Sequence, residues 1–166
     1  IWHRGFLLIG LMGRDDFVAL DPRTREVRTA FRLGRGAHTI FPSPDGRTLW
    51  ATSRVDSRLA EVDAATLEVR RVHEIAGGPD CIAFDSEGRV HVTLRWTARL
   101  LVLDPATGEQ VQIRVGRSPH GVFVMPRRPG VDAAFAFQFP GMASGTRPMP
   151  QKKSSPATAT ASATAA

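Results

Sequence analysis

The hydrophobic residues of this chain fall in short runs that are separated by polar turn sequences. Runs such as LWAT (49–52) are bounded by Gly, Pro, Asp and Ser. Runs of about four to six residues, rich in Val, Leu, Ile and Thr, indicate β-strands, and the repeats show no sustained helical period. In SPDGR (43–47), Pro and Gly stand where a β-turn takes them, and DPRT, DAAT and DPAT open further turns with Asp. The sequence predicts an all-β chain of short antiparallel strands.

The pattern of strands and turns recurs at a period of about 40 residues, which is typical of a repeat architecture. The segment GAHTIFPSPDGRTLWAT (36–52) resembles GPDCIAFDSEGRVHVT (78–93), and Gly46 and Gly88 are 42 residues apart. The motifs GAH, GPD and SPH follow one another at offsets of 42 and 40, and the turn aspartates at offsets of 42 and 41. These aspartates are Asp21, Asp63 and Asp104. Three independent sets of sequence motifs therefore recur with the same period.

Four short strands in each period are what a β-propeller blade requires. A β-sandwich is the alternative, but it offers no reason for a shared period. The segments SPDGRTLWAT, AEVDAATLEV and GRSPHGVFV resemble the YVTN-type β-propeller repeat, and the resemblance covers residues 7 to about 124. It implies an extracytoplasmic protein of bacteria or archaea. Propellers of this kind include lactonases, streptogramin-type lyases, quinoprotein-like subunits and proteins that only bind.

The repeat divides the chain into a partial propeller, residues 1–124, and a tail. Leu8 aligns with Trp50, which predicts that the first blade lacks its first strand, that two full repeats follow, and that one strand of another blade comes last. The predicted repeats are 7–37, 38–79, 80–119 and 120–124. Residues 125–166 are rich in Pro, Ser, Thr and Ala and are predicted to be disordered. Because closed propellers need about four to eight blades, the expected partners are the remaining blades or further copies of the chain.

Charge, cysteine content and hydropathy limit the expected partners. The net charge of +6 comes from arginines spread through every loop, and there is no series of aromatic residues for base stacking, so nucleic acid is not an expected partner. The single cysteine, Cys81, allows no intramolecular disulfide and is predicted to be a small core residue. FLLIGLM (6–12) is too short to span a membrane and has no signal-peptide cleavage site after it. A periplasmic, secreted or cell-surface location is therefore implied by the resemblance alone.

Candidate site residues recur at equivalent positions of the repeat. Blade junctions and the loops between second and third strands share one face of a propeller, so His38, Asp80 and His120 are expected at the mouth of the central channel. Two imidazoles and a carboxylate suit a divalent metal or acid–base chemistry, whereas the simpler interpretation is that they cap inner strands. Loop residues around the same mouth favour an anionic ligand, unless they are merely exposed. They are Arg14, Arg54, Arg95 and Trp96.

Three functions of different classes stay open, one of them a purely structural cell-surface module, which a glycosylated tail would favour. The preferred hypothesis is a non-catalytic scaffold that binds a small anionic ligand or a protein partner at the channel face, with a divalent metal as the one candidate cofactor. The alternative is a fragment of a metal-dependent lactonase, a lyase or a quinoprotein-like enzyme. The sequence has no Gly-rich phosphate loop, no paired-cysteine metal knuckle and no nucleophile elbow. An enzyme of this kind would have to collect its reactive groups from several blades.

Overall fold

The computed structural model of the protein describes residues 1–125, which form three antiparallel sheets of four strands each. The first sheet comprises β1 (Trp2–His3), β2 (Phe6–Gly10), β3 (Asp16–Leu20) and β4 (Val27–Arg32). The second comprises β5 (Ala37–Pro42), β6 (Thr48–Ser53), β7 (Arg58–Asp63) and β8 (Val69–Glu74). The third comprises β9 (Pro79–Phe84), β10 (Val90–Leu94), β11 (Arg99–Leu103) and β12 (Gln110–Arg114). Within each sheet the spatial order of the strands is their order in the chain.

Consecutive sheets pack face to face, and each interface is an apolar cluster. Between the first and second sheets, Leu8 and Phe17 pack with Ile40 and Leu49, and the ring of Phe17 stacks on Phe31 at 4.7 Å between centroids. Between the second and third sheets the buried residues include Trp50, Leu59, Val92 and Leu101. Neighbouring residues of one strand pack in opposite interfaces, because successive side chains of a strand point to opposite faces of the sheet. This arrangement of consecutive blades confirms the predicted all-β, partial-propeller fold.

The turns between third and fourth strands form as their aspartates predict. Oδ1 of Asp63 accepts hydrogen bonds from the backbone N–H groups of Ala65 and Thr66, at 2.6 and 2.8 Å. Asp21 and Asp104 make the corresponding two bonds in the other sheets. An Asp carboxylate that accepts bonds from the next residues of its own turn is the local reason for this recurring motif.

The ends of the repeat region differ from the prediction. The first blade was expected to lack its first strand, but Trp2–His3 forms a short strand that pairs with Phe6 and Leu7. The turn that joins them, Arg4 and Gly5 with φ of 48° and 89°, has none of the SPDGR signature. The expected last strand, residues 120–124, has no strand assignment, and Phe123 is 80% exposed. The first strand of each blade pairs with the second strand of the same blade. Because residues 1–125 contain no second strand for a fourth blade, residues 120–124 have no strand to pair with.

Apart from Met125, the predicted low-complexity tail of residues 125–166 lies outside the described residues. Among residues 1–125 there are no helices, and hence no helix that is long and apolar enough to cross a membrane.

Candidate functional site

A β-bulge near the start of the inner strand aims the candidate side chains in two blades. The pairing of β5 with β6 shifts register between Ala37 and Ile40, and the pairing of β9 with β10 shifts at the corresponding place. At each shift, one backbone N–H of the inner strand hydrogen-bonds to a threonine hydroxyl of the second strand. The hydroxyl of Thr52 accepts from the N–H of Thr39 at 3.1 Å, and the hydroxyl of Thr93 accepts from the N–H of Cys81 at 3.0 Å. Bulges redirect the side chains next to them, here His38 and Asp80.

The same threonines connect each blade to the next. The hydroxyl of Thr52 donates to the backbone carbonyl of Asp80 at 3.0 Å, and that of Thr93 donates to the carbonyl of His120 at 2.7 Å. The first blade has Gly10 at this position, where an added Cβ would lie only 2.5 Å from the carbonyl oxygen of His38. Three successive junctions therefore hold His38, Asp80 and His120 in equivalent places.

The side chains of His38, Asp80 and His120 converge, with one potential metal-ligand atom from each lying within 4.8 Å of the others. Asp80 is fully buried and stands at the centre. Its Oδ1 accepts from Arg54 at 2.9 Å, and Nδ1 of His38, which hydrogen-bonds to Oγ1 of Thr39 at 2.8 Å, lies 3.0 Å from the same Oδ1. Its Oδ2 accepts from Nδ1 of His120 at 3.0 Å and from Arg95 at 3.4 Å. We call the side chains of His38, Arg54, Asp80, Arg95 and His120 the Asp80 cluster.

Backbone hydrogen bonds place the two arginines of the Asp80 cluster. The N–H of Arg54 donates to the carbonyl of Gly36 at 2.9 Å, and that of Arg95 donates to Gly78 at 3.1 Å, so each loop is tied to the preceding blade junction. The side chain of Arg54 is only 12% exposed, whereas that of Arg95 is 37% exposed. The Nε–H of Arg54 is buried and has no hydrogen-bond partner among residues 1–125. Arg95 is therefore the guanidinium of the cluster that a ligand can reach.

Burial and charge set the protonation states within the cluster. Burial lowers the pKa of His38; the charge of Asp80 opposes this effect, and Arg54 and His120 add to it. Burial by itself would raise the pKa of Asp80, but the hydrogen bonds from His120 and Arg54 outweigh it and hold that pKa below its ordinary value. At neutral pH the cluster thus contains one carboxylate, two guanidinium groups and a neutral His38, which leaves an excess of positive charge.

Two of the predicted site residues lie elsewhere. Arg14 donates to Oδ2 of Asp16 at 2.9 Å and keeps 63% of its side chain exposed. Gly10, Thr52 and Thr93 occupy equivalent positions of the second strand, and the residue two places later is Met12, Arg54 or Arg95. Met12, and not Arg14, is therefore the equivalent of Arg54 and Arg95. The structure therefore brings only two of the three predicted arginines to the cluster.

Trp96 is 57% exposed and covers Gly78, where an added Cβ would lie 2.6 Å from the indole ring. Gly78 has a φ of +68°, so the junction needs glycine both for its backbone conformation and for this close approach. Val55 lies over Gly36 in the same way in the preceding blade. Packing on the junction accounts for the position of Trp96, and a contact with a ligand stays a prediction.

Sequence analysis missed three polar residues that build this region. Thr52 and Thr93 hold the inner strands, and they recur 41 residues apart, which is a signal that the repeat alignment already contained. Cys81 was expected to be a core residue, yet it is only partly buried, and its Sγ lies 3.8 Å from Nδ1 of His120. Burial, reinforced by the charge of Asp80, raises the pKa of the Cys81 thiol, so it stays protonated at neutral pH.

A family model described as a YNCE-like beta-propeller matches residues 3–130 of the chain. This match supports a β-propeller without identifying the repeat as the YVTN type, which stays a prediction. No sequence among the curated proteins matches the chain.

Solved structures of low sequence identity share the fold. Hydrazine synthase of Kuenenia stuttgartiensis superimposes with a TM-score of 0.59 and 18% identity, over 69% of this chain and 34% of that one. Inactive H270A virginiamycin B lyase of Staphylococcus aureus with quinupristin gives 0.57 and 15%, over 70% of this chain and 41% of that one. The periplasmic gluconolactonase PpgL of Pseudomonas aeruginosa gives 0.55 and 23%, over 73% and 40%. The chain thus spans about two fifths or less of the length of these propellers.

Proposed function

The chain belongs to the YNCE-like β-propeller family, and on that premise we propose that it is a binding module for a small anionic ligand at the face that carries the Asp80 cluster. The observation that carries the proposal is the charge of this cluster. Two guanidinium groups share a single buried carboxylate, and the His38 imidazole beside it is neutral, so the positive groups outnumber the negative one. Carboxylate and phosphate groups suit guanidinium donors of this kind.

Donors that Asp80 does not use point to the position of the ligand. Arg95 contacts Asp80 through one nitrogen at 3.4 Å, so its other N–H groups are available to a second anion. The side chain of His120 is 56% exposed and uses Nδ1 for Asp80, which leaves Nε2 for a ligand. A carboxylate could accept from Arg95 without displacing Asp80, and it could also accept from Nε2 of His120 when that imidazole carries protons on both nitrogens.

A titration with citrate tests the proposal. Replacing Arg95→Gln should weaken citrate binding by about tenfold to a hundredfold, because a hydrogen bond to a charged group typically contributes about 1.5–3 kcal/mol. Isothermal titration calorimetry on the whole chain measures this, with trimethyl citrate as an uncharged ligand. The matched control is Arg23→Gln, an exposed arginine in the β3–β4 turn at the other end of the sheet. If both variants bind citrate as the wild type does, the Asp80 cluster is not the binding site.

A divalent metal at the same place is the second candidate, and it is favoured by the close approach of the ligand atoms of His38, Asp80 and His120. Such a metal would supply the Lewis acid that a lactonase-like or lyase-like reaction needs. The guanidinium of Arg54, at 2.9 Å from Oδ1 of Asp80, works against it, because it would repel the cation and already uses a carboxylate lone pair. The charge of the cluster therefore favours the anion.

A Zn²⁺ titration of the whole chain separates the two candidates. If the cluster is an anion site, calorimetry should give the same weak Zn²⁺ binding for the wild type and for the double variant His38→Ala, His120→Ala. Tight Zn²⁺ binding by the wild type that the double variant loses would instead support the metal site and an enzymatic role. His73→Ala is the control for nonspecific binding to imidazole, since His73 bonds to Glu61 in the second sheet.

Open apolar faces support the proposal that further blades, either of a longer protein or of other copies, adjoin the described ones. On the third sheet, Leu100 pairs with Ile113 and Val102 with Val111, and Ile113 and Val111 are 47% and 51% exposed. On the first sheet Ile9 is 39% exposed. Where one described blade packs on the next, the faces that correspond to these exposed ones are buried. An extracytoplasmic location is part of this proposal, in keeping with the periplasmic gluconolactonase among the similar structures.

A further inference from the structure

A second concave surface lies at the other end of the sheets, where the first and second blades meet. Its wider part has a volume of about 490 Å³ and is lined by the β1–β2 turn of the first blade and by the β5–β6 and β7–β8 turns of the second. Arg4, Arg47 and Arg70 are among the residues that line it. It adjoins a narrower recess of about 190 Å³, which shares His3, Arg4 and Ala65 with it. We call the two parts together the seam site. Because both blades lie within the described chain, the seam site does not depend on any further blade.

The positive charge of the seam site is only partly neutralised. Asp63 is the one acidic residue in its lining, and its carboxylate already pairs with Arg70 and accepts the N–H groups of Ala65 and Thr66. Among residues 1–125, no carboxylate lies within ion-pair distance of the guanidinium of Arg4 or Arg47. Two arginines therefore line the hollow without a carboxylate bound directly to either guanidinium among residues 1–125.

The narrower recess has a mixed lining, which combines apolar side chains with His3, Arg4 and Arg28. Phe6, Leu8, Ala19 and Leu67 line it, and the guanidinium of Arg28 lies over the Phe6 ring, 4.9 Å from its centroid. The volume of 190 Å³ is somewhat larger than the ~150 Å³ of an apolar cavity that holds benzene. The recess is therefore large enough for one aromatic ring, and Arg4 lines both the recess and the wider part that contains Arg47.

Hydrogen bonds between the blades hold the walls in place. Nε2 of His3 donates to the carbonyl of Ala64 at 2.7 Å, and Arg4 donates to the carbonyl of Ala65 at 3.3 Å. Within the second blade the N–H of Ala64 donates to the carbonyl of Arg47 at 3.0 Å. These bonds join the turns that form the hollow, so the site is organised before a ligand arrives, which lowers the cost of binding.

We propose that the seam site binds a small aromatic carboxylate, with the ring in the recess against Phe6 and Leu67 and the carboxylate on Arg4 and Arg47. This site is separate from the Asp80 cluster and goes beyond the function proposed for that cluster. A carboxylate suits two guanidinium groups, and an apolar recess with a few convergent polar groups is the usual form of a small-molecule site.

Calorimetry with phenylacetate on the whole chain tests the inference. Phenylacetate should bind saturably with one site per chain, whereas acetate, which lacks the ring, and benzyl alcohol, which lacks the charge, should bind at least tenfold more weakly. Arg4→Asn and Leu67→Asn should each weaken phenylacetate at least fivefold. Asparagine tolerates the positive φ of both positions, 48° and 63°, so the backbone is kept. A thermal melt of each variant checks its fold, and Arg4→Asn alone is sufficient if Leu67→Asn is unstable.

Two control variants make the test specific. Arg25→Asn removes an arginine from another turn position of positive φ, 64°, that does not line the site, and it should leave the affinity unchanged. Arg95→Gln, at the Asp80 cluster, should also leave it unchanged. The inference is overturned if phenylacetate gives no saturable heat up to about 20 mM, if Arg4→Asn behaves like Arg25→Asn, or if Arg95→Gln is the variant that weakens binding.

Discussion

At the scale of single residues, Asp80 determines the structure of the Asp80 cluster. It is fully buried; its Oδ1 accepts from Arg54 and its Oδ2 from His120 and Arg95, while Nδ1 of His38 lies 3.0 Å from Oδ1. A buried carboxylate is tolerable only when it is paired and hydrogen-bonded in this way, and removing one member leaves the others uncompensated. The side chains of Arg54, Arg95 and His120 are thus oriented by hydrogen bonds to one residue.

Replacing Asp80→Asn should destabilise the protein by about 3 kcal/mol at pH 7, because the nearly buried guanidinium of Arg54 would lose its counter-charge. The pKa of Asp80 lies below its ordinary value of 3.8, so the stability it contributes is complete above pH 3.8 and is lost as the pH falls through the lowered pKa. Denaturant unfolding at a series of pH values should therefore show the difference between variant and wild type shrinking below pH 3.8.

The control for this experiment is Asp15→Asn, an exposed aspartate whose side chain makes no ion pair among residues 1–125. It should change stability by less than about 0.5 kcal/mol. Equal effects of the two substitutions would mean that the cluster contributes little to folding.

At the scale of the secondary-structure element, the turn between third and fourth strands shows how the repeat tolerates sequence variation. The residue four places after the turn aspartate has a positive φ in every blade: 64° at Arg25, 63° at Leu67 and 78° at Gly108. Only the third blade places glycine there. The N–H of each of these residues donates to the carbonyl of the turn aspartate at 2.8 Å, so the closed turn holds all three in the same conformation.

Arg25→Gly should stabilise the protein by about 0.5 kcal/mol. Glycine removes a left-handed strain of about 1–2 kcal/mol and loses part of that gain to the greater freedom of the unfolded chain. Gly108→Ala should have the opposite sign, with a loss of about 1 kcal/mol. Guanidinium unfolding midpoints of both variants measure the two effects, and a destabilising Arg25→Gly would show that the arginine side chain itself supports the turn.

At the scale of the whole molecule, the two ends of the blades have different chemistry. One end gathers blade junctions and the loops between second and third strands, and it carries the Asp80 cluster. The other end gathers the remaining turns and carries the seam site. Strands that run back and forth place alternate turns at opposite ends, so one repeat supplies both surfaces. The two proposed sites can therefore be tested independently.

Much of the fold follows from local sequence. The turn motifs DPRT, DAAT and DPAT fix their own hydrogen bonds, and the alternation of apolar residues places Trp50 and Ala51 on opposite faces of β6. The strand Trp2–His3 escaped prediction because it is only two residues long and enters a turn without Pro or Asp. Its pairing depends on a neighbouring strand and not on its own composition.

The sequence by itself determined the period, the four-stranded blade and the equivalence of His38, Asp80 and His120, because these depend on short-range turn chemistry and on counting along the chain. The offset of 42 residues already places Met12, and not Arg14, at the position of Arg54, but only the tertiary structure showed that Arg54 and Arg95 reach Asp80 while Arg14 pairs with Asp16. It alone also revealed the seam site, whose lining comes from residues 3 to 70 and meets only when two blades pack. Charge neutralisation and close packing are properties of groups brought together in space, and local sequence does not record them.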